Sequence, residues 1–247
     1  DLQMLSGSVL HAVASRDFAR AQHFGKKYTA NKTYGNYTDL VNDPDLNVIY
    51  VATTHNFHYE HAALCLAANK PVLCEKPMCV NSKEAQKLVN LSRHKNIFLM
   101  EAMWTRFLPA IIRLKKDLDT KIIGIPQLVQ ADFGITKPLE KGSRFYEKEL
   151  AAGALLDLGI YTINFANIVF GSRPEGISGY AKFTDQGVDQ LSTYNILYSE
   201  GRQALLSAAF TLPTAHQARV YGDKGRIVID NFFRPQKYQI ILNGKEP

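Results

Sequence analysis

Through the first half of this chain, short apolar runs alternate with stretches of helical length, and that alternation restricts the fold more than any other feature. Parallel strands cannot be joined by tight turns, so each needs a crossover, usually a helix. Ser8 to Ser15 (SVLHAVAS) reads as a strand, and Asp17 to Tyr28 as a helix with Phe18, Ala21 and Phe24 along one side. Thr38, followed by Asp39, is expected to cap a short helix ending near Pro44. Asn47 to Ala52 (NVIYVA) is apolar without alternation, which marks a strand covered on both faces near the centre of a sheet. Asn56 is expected to cap a helix to Ala68 that turns Ala62, Leu66 and Ala67 towards the sheet, with Asn69 at its left-handed end. Pro71 to Cys74 is the next strand, and Ser82 to Arg93 a helix opening on half a capping box (Ser82, Ala85). Ile97 to Glu101 (IFLME) is a further buried strand, so four strand-helix units precede Trp104.

After about Ile125 the pattern changes to longer alternating strands at 127–135, 176–183, 192–198, 203–210, 218–221 and 226–229. Ser199-Glu200-Gly201-Arg202 and Gly222-Asp223-Lys224-Gly225 are turn signals between the later strands and favour antiparallel hairpins. A helix from Leu155 to Phe170 interrupts them, with Leu156, Ile160, Ile163 and Phe165 as its apolar contacts. The expected fold is therefore α/β. A doubly wound parallel unit occupies 1–104, and an α+β domain with a large, mostly antiparallel sheet occupies 105–247. With 46% hydrophobic and 21% charged residues, 247 residues suffice for two such cores and exclude disorder as the main state.

No unbroken apolar run reaches the roughly 18 residues of a spanning helix, so no membrane partner is expected. A net charge of +6 comes from scattered basic residues, which suits a small polyanion such as a nucleotide phosphate and gives no stripe for nucleic acid. Cys65, Cys74 and Cys79 form an odd, sparse set, read as reduced packing residues of a cytoplasmic protein. The sequons at Asn31, Asn36 and Asn90 read as chance matches, since no signal peptide appears in the chain.

Ligands of open parallel sheets bind beyond the carboxyl ends of the strands. Those ends carry Arg16 and Asp17; Thr53, Thr54 and His55; Glu75, Lys76 and Pro77; and Glu101 followed by Trp104, Thr105 and Arg106. Their convergence predicts one binding crevice.

Glu75-Lys76-Pro77, following the apolar Val72-Leu73-Cys74, resembles the E-K-P motif that follows a Rossmann strand in the Gfo/Idh/MocA family of oxidoreductases. Further segments look like the dimeric dihydrodiol dehydrogenases of animals within that family: 73–78 (LCEKPM), 98–102 (FLMEA), 104–107 (WTRF) and 153–161 (GALLDLGIY). The resemblance covers essentially the whole chain. It implies a Rossmann-like dinucleotide-binding domain, the cofactor NADP, and oxidation of a vicinal diol or sugar hydroxyl in a trans-dihydrodiol or D-xylose. It also implies a homodimer formed through the open face of the second-domain sheet.

The resemblance implies a role for each residue, and elementary chemistry can be set beside it. Removing hydride from a carbinol carbon requires the hydroxyl proton to leave too, so a base is needed. Tyr161 matches the family's catalytic tyrosine or histidine, and Lys76 the lysine that lowers its pKa and binds the substrate hydroxyl. Asp157 lies four residues before Tyr161, which on an α-helix places both on one face, so both can point into one cavity as catalytic and substrate-binding candidates. By spacing alone the plainer reading is a core-facing tyrosine and a surface aspartate.

Arg16 and Arg20 stand where the family chooses its cofactor, since arginine there pairs with the 2′-phosphate of NADP. Two solvated arginines are the alternative, and the Asp17 carboxylate would repel such a phosphate. The resemblance implies further cofactor-contacting positions at Thr53, Thr54, His55, Glu75, Lys76 and Trp104, with His58 supporting the loop. Trp104 and Phe133 match aromatic positions that line the substrate pocket, against ordinary core packing for a lone tryptophan. His55, His58 and His61 share a helical spacing that invites zinc, but no glutamate motif accompanies them and no metal is expected. The Lys76-Pro77 bond is a candidate cis peptide.

No G-x-G-x-x-G precedes the strand at Ser8, the chain opens at Asp1 in what reads as a helix end and turn over 1–7, and it ends within the second domain. The expectation is a chain truncated at both ends that binds NADP weakly or not at all by itself. Two other classes compete with the dehydrogenase: a non-catalytic dinucleotide sensor or interaction protein on the same fold, and a metal-dependent hydrolase.

Overall fold

The computed structural model describes residues 4–138, 140 and 142–244, and the chain divides into the units Asp1–Ala102 and Met103–Pro247. The helix end predicted over 1–7 lies outside the described residues at 1–3, as does the chain end at 245–247. In the first unit, β1 (Ala12–Ala14) pairs in parallel with β2 (Lys32–Tyr34). A second parallel sheet has the order β3 (Ile49–Val51), β4 (Val72–Cys74), β5 (Leu99–Glu101).

Four helices connect the strands: α1 (Phe18–Tyr28), α2 (Tyr37–Val41), α3 (His58–Ala67) and α4 (Ser82–Lys95). Side-chain oxygens satisfy the orphan N–H groups at three of their starts. Asp17 accepts from Arg20 N–H, Asn36 from Asp39 N–H and Asn81 from Glu84 N–H. Asn36 and Asn81 thus replace the predicted caps Thr38 and Ser82. Asn81 forms a capping box, donating from its amide to the Glu84 carboxylate at 3.0 Å. Asn56 caps no α-helix either, because a 3₁₀ turn, His55–Phe57, leads into α3.

Two predicted faces also differ. On α1 the buried residues are Ala21 and Gly25, while Phe18 and Phe24 are about half exposed. The reason is close approach: a Cβ on Gly25 would lie 2.6 Å from the Thr33 methyl on β2. On α3, Ala62, Cys65 and Leu66 are buried and Ala67 is exposed. They pack with Ile49, Val51, Val72, Cys74 and Leu88 in one apolar cluster. Strand β3 is an edge of its sheet and leaves Tyr50 exposed, so the predicted covering of both faces does not hold. The helices α3 and α4 both pack into the cluster on the side of Ile49 and Val51.

The second unit holds α5 (Pro109–Asp119), β6 (Pro126–Gly134), a π-helical turn Leu155–Gly159 and α6 (Ile160–Phe170). The remaining strands are β7 (Gly176–Phe183), β8 (Asp189–Leu197), β9 (Gln203–Ala209), β10 (Ala218–Gly222), β11 (Gly225–Ile229) and β12 (Gln239–Leu242). They form a seven-stranded sheet in the order β12-β11-β10-β6-β9-β8-β7, antiparallel except for the pair β6 and β9. The helix α6 packs on β6 and β9. Its Phe165 and Ala166 join Val129, Leu206, Ala208 and Phe232 in the main core. Of the helix contacts predicted, only Phe165 is fully buried; Leu156, Ile160 and Ile163 are partly so. The short elements β2, α5 and β12 carry no expectation from the sequence.

Judged over a window rather than as an unbroken run, Lys148–Phe170 is apolar and long enough to cross a membrane. Here that stretch contributes the core helix α6, with Phe165 fully buried against the sheet.

Candidate active site

In the first unit, the predicted residues lie at the carboxyl ends of the parallel strands. Arg16 follows β1, is exposed, and holds its guanidinium 4.8 Å from the centroid of the Phe57 ring. Arg20 lies in the first turn of α1. The Asp17 carboxylate is engaged by the start of that helix, accepting the Arg20 N–H at 3.2 Å.

After β3, Thr53 and Thr54 lead into the turn that His55 begins. Thr54 donates its hydroxyl to the Asn56 side-chain oxygen at 2.7 Å. His58 is buried and stands between two carbonyl oxygens, with Nδ1 2.7 Å from that of Pro77 and Nε2 2.9 Å from that of Thr53. The imidazole therefore braces the end of β3 to the turn after β4. His61 lies 3.0 Å from the Thr53 hydroxyl and stacks on Phe57, and burial lowers its pKa. Both histidines thus direct ring nitrogens at protein partners.

After β4, the Glu75 carboxylate accepts from the Tyr50 hydroxyl on β3 and from the Lys76 backbone N–H at 3.0 Å. The Lys76-Pro77 peptide is cis, as expected. Beyond it, Met78 N–H donates to Glu101 at the end of β5, 2.8 Å away. Backbone and carboxylates thus fix the turn from both neighbouring strands.

The second unit builds an aromatic group around Tyr161, which sits in the first turn of α6 and is buried. Trp104, in the 3₁₀ turn Trp104–Phe107, donates its indole N–H to the Tyr161 hydroxyl at 3.1 Å. Phe133 on β6 meets the Tyr161 ring edge-on, with centroids 5.6 Å apart. Asp157 lies in the π turn and is buried, with the Arg144 guanidinium 3.9 Å from its carboxylate. The spacing argument that joined Asp157 to Tyr161 assumed α-helical geometry, and the π turn replaces it over 155–159.

Two further members of the group carry no sequence expectation. Phe233 stacks on Phe133 at 4.3 Å and meets Tyr161 at 6.1 Å. His216 packs against Phe133 at 4.9 Å and places Nε2 2.6 Å from the Gly134 carbonyl oxygen. The pair Phe232-Phe233 in a turn after a strand was the available signal, since adjacent bulky aromatics are unusual in exposed turns. His216 offered none: it occupies left-handed backbone, φ 56°, in an irregular segment.

Residues 2–103 match the oxidoreductase-family model with an NAD-binding Rossmann fold, and residues 111–228 match the GFO/IDH/MocA C-terminal domain. The chain is 39% identical over 237 residues to trans-1,2-dihydrobenzene-1,2-diol dehydrogenase of Xenopus tropicalis, covering 95% of this chain and 71% of the relative. The chain belongs to the Gfo/Idh/MocA oxidoreductase family. Another family relative, the enzyme of the same name from Sus scrofa, is 40% identical over 236 residues, 95% of this chain and 69% of its own length.

Solved structures of similar fold include an aldose-aldose oxidoreductase from Caulobacter crescentus complexed with glycerol. It has a TM-score of 0.88 at 22% identity, over 100% of this chain and 79% of the other. A 3-ketoreductase from Actinomadura kijaniata, in complex with NADP and TDP-benzene, gives 0.87 at 24% identity over 99% and 76%. Within the family, the parallel unit is therefore the nucleotide-binding half, and the unit holding Tyr161 is the C-terminal domain.

Proposed function

We propose that this oxidoreductase uses NADP to oxidise a vicinal diol or sugar hydroxyl, with a trans-dihydrodiol or D-xylose as substrate class, Tyr161 as general base and Lys76 as its assistant. The observation that carries this reading is the buried Tyr161 phenol, set among aromatic rings with the Trp104 N–H aimed at its oxygen. A donor directed at that oxygen stabilises negative charge there, as a proton-accepting phenolate requires. The aromatic faces of Trp104, Phe133 and Phe233 suit a flat, apolar ring bearing hydroxyl groups. In the step proposed, the hydroxyl proton of the alcohol passes to the Tyr161 phenolate oxygen, and the carbinol hydrogen would leave as hydride to the dinucleotide that the parallel unit would hold, so that a carbonyl remains. When bound, NADP supplies the hydride acceptor.

The residues of the parallel unit fit such a cofactor. Arg16 offers a guanidinium held over Phe57, and the neighbouring Asp17 carboxylate accepts the Arg20 N–H at the start of α1, which reduces its opposition to a phosphate. Thr53, Thr54, His55 and Glu75 lie at the ends of β3 and β4, where dinucleotides of this fold bind, and His58 holds their loops together. Assays of the purified full-length protein with a trans-dihydrodiol and with D-xylose are expected to reduce NADP. No reduction with either, while NADPH still binds, overturns the dehydrogenase reading in favour of a sensor. Arg16→Ala is expected to weaken NADPH binding about tenfold and leave NADH binding unchanged. An equal effect on the two, measured by fluorescence titration, removes Arg16 from cofactor choice.

The partner proposed is a second copy of the chain on the open face of the large sheet. That face supports the reading with Tyr180 on β7 and Leu205 on β9, both exposed on the side of the sheet away from α6. Sedimentation equilibrium should show a dimer that Tyr180→Glu dissociates. A wild-type monomer throughout the micromolar range overturns this.

A further inference from the structure

The π turn Leu155–Gly159 ends two residues before Tyr161, and Ile160 N–H closes it by donating to the Leu155 carbonyl. A π turn within a helix departs from the favoured i to i−4 ladder and persists where its surroundings hold it. Here the Gly159 carbonyl accepts two hydroxyls, from Thr162 at 2.9 Å and from Tyr194 at 3.2 Å, and the two hydroxyl oxygens are 2.6 Å apart. Tyr194 comes from β8 in the sheet beneath α6, far along the chain. Its approach depends on the missing side chain of Gly159, where a Cβ would lie 2.6 Å from the Tyr194 oxygen. Burial raises the Tyr194 phenol well above its ordinary range, so it stays protonated and able to donate. The sheet is thereby bolted to the one carbonyl that joins the π turn to the first turn of α6.

We infer that Tyr194 is a positioning residue: with Thr162, its hydroxyl fixes the Gly159 carbonyl and so aims the Tyr161 phenol at the Trp104 indole N–H. The inference rests on the reading of Tyr161 as the base, but its effect on geometry is measurable separately. Trp104 is the single tryptophan of the chain, so its emission reports the N–H to Tyr161 contact directly.

The variants are Tyr194→Phe, which removes only the hydroxyl, Thr162→Val, which removes the other, and Gly159→Ala, which pushes the phenol away. Each is measured in the full-length protein for steady-state kinetics and for Trp104 emission, the latter as the difference from a Trp104→Phe control. Tyr194→Phe is expected to shift the emission and to lower kcat about tenfold, with KM for NADP changing less than about twofold. Gly159→Ala should act in the same direction. Should one variant fail to fold, the other two carry the test. A shifted emission with reduced kcat supports the inference. Emission identical to wild type in every folded variant overturns it, even where activity falls. A shifted emission with undiminished kcat supports the positioning role and overturns Tyr161 as the base.

Discussion

Tyr161→Phe is expected to reduce turnover by about 10²–10⁴-fold, the range general base catalysis supplies, while NADPH binds within about twofold of wild type. The substitution is clean because it deletes one atom. The ring contacts to Phe133 at 5.6 Å and Phe233 at 6.1 Å do not involve the hydroxyl, so the packing of α6 against the sheet is retained. What disappears is the acceptor of the Trp104 N–H. Trp104 is 40% exposed, so water can take that hydrogen bond, and the stability lost should stay near 1 kcal/mol or below. Rate and stability therefore separate. Progress curves of NADP reduction compared with a thermal melt will show whether they do, and turnover close to wild type rejects Tyr161 as the base. A loss of activity matched by a large fall in melting temperature would also count against it, because the effect would then belong to folding.

The parts of this architecture that could be read from the chain are those written locally. The alternation of apolar runs with helical stretches gave the parallel half, since each crossover lies between its two strands. The Glu75-Lys76-Pro77 and 153–161 segments pointed to the family because their residues are contiguous. Even the cis Lys76-Pro77 bond was expected from the motif. What stayed hidden depends on contacts across the chain. The parallel pairing of β6 with β9 joins strands separated by α6 and two other strands, and no turn signal announces it.

Likewise Phe233, His216 and Tyr194 reach the neighbourhood of Tyr161 from β8 or from beyond β9, so periodicity around Tyr161 could not find them. The helix caps failed for another reason. Asn36 and Asn81 each precede a residue that looked equally suitable, and a cap is chosen by which residue takes extended backbone, φ −149° at Asn36 and −155° at Asn81. On α1, Ala21 faces inward as expected, but Gly25 packs beside it in place of Phe18 and Phe24, because the sheet comes too close there for a side chain.

The second large effect concerns stability. Phe165 lies one helical turn beyond Tyr161 on α6 and has no exposed surface. Its ring meets Phe232 edge-on, with centroids 5.7 Å apart, beneath the large sheet. Phe165→Ala removes a fully buried aromatic and leaves a cavity walled by strands, which cannot collapse without breaking ladder hydrogen bonds. Both the transfer and the cavity contributions then apply in full, and a loss of about 3–5 kcal/mol is expected.

Phe165→Leu keeps much of the volume and should cost roughly half as much, because an apolar swap that preserves part of the packing leaves a smaller void. Urea denaturation monitored by circular dichroism will measure both, provided the slope with denaturant is unchanged. Phe232→Ala and the double substitution complete a cycle. A coupling of about 0.5–1.5 kcal/mol is expected from the edge-to-face pair. If Phe165→Ala costs less than about 1 kcal/mol, the core beneath α6 relaxes freely, and a helix so loosely seated could not hold Tyr161 in one place.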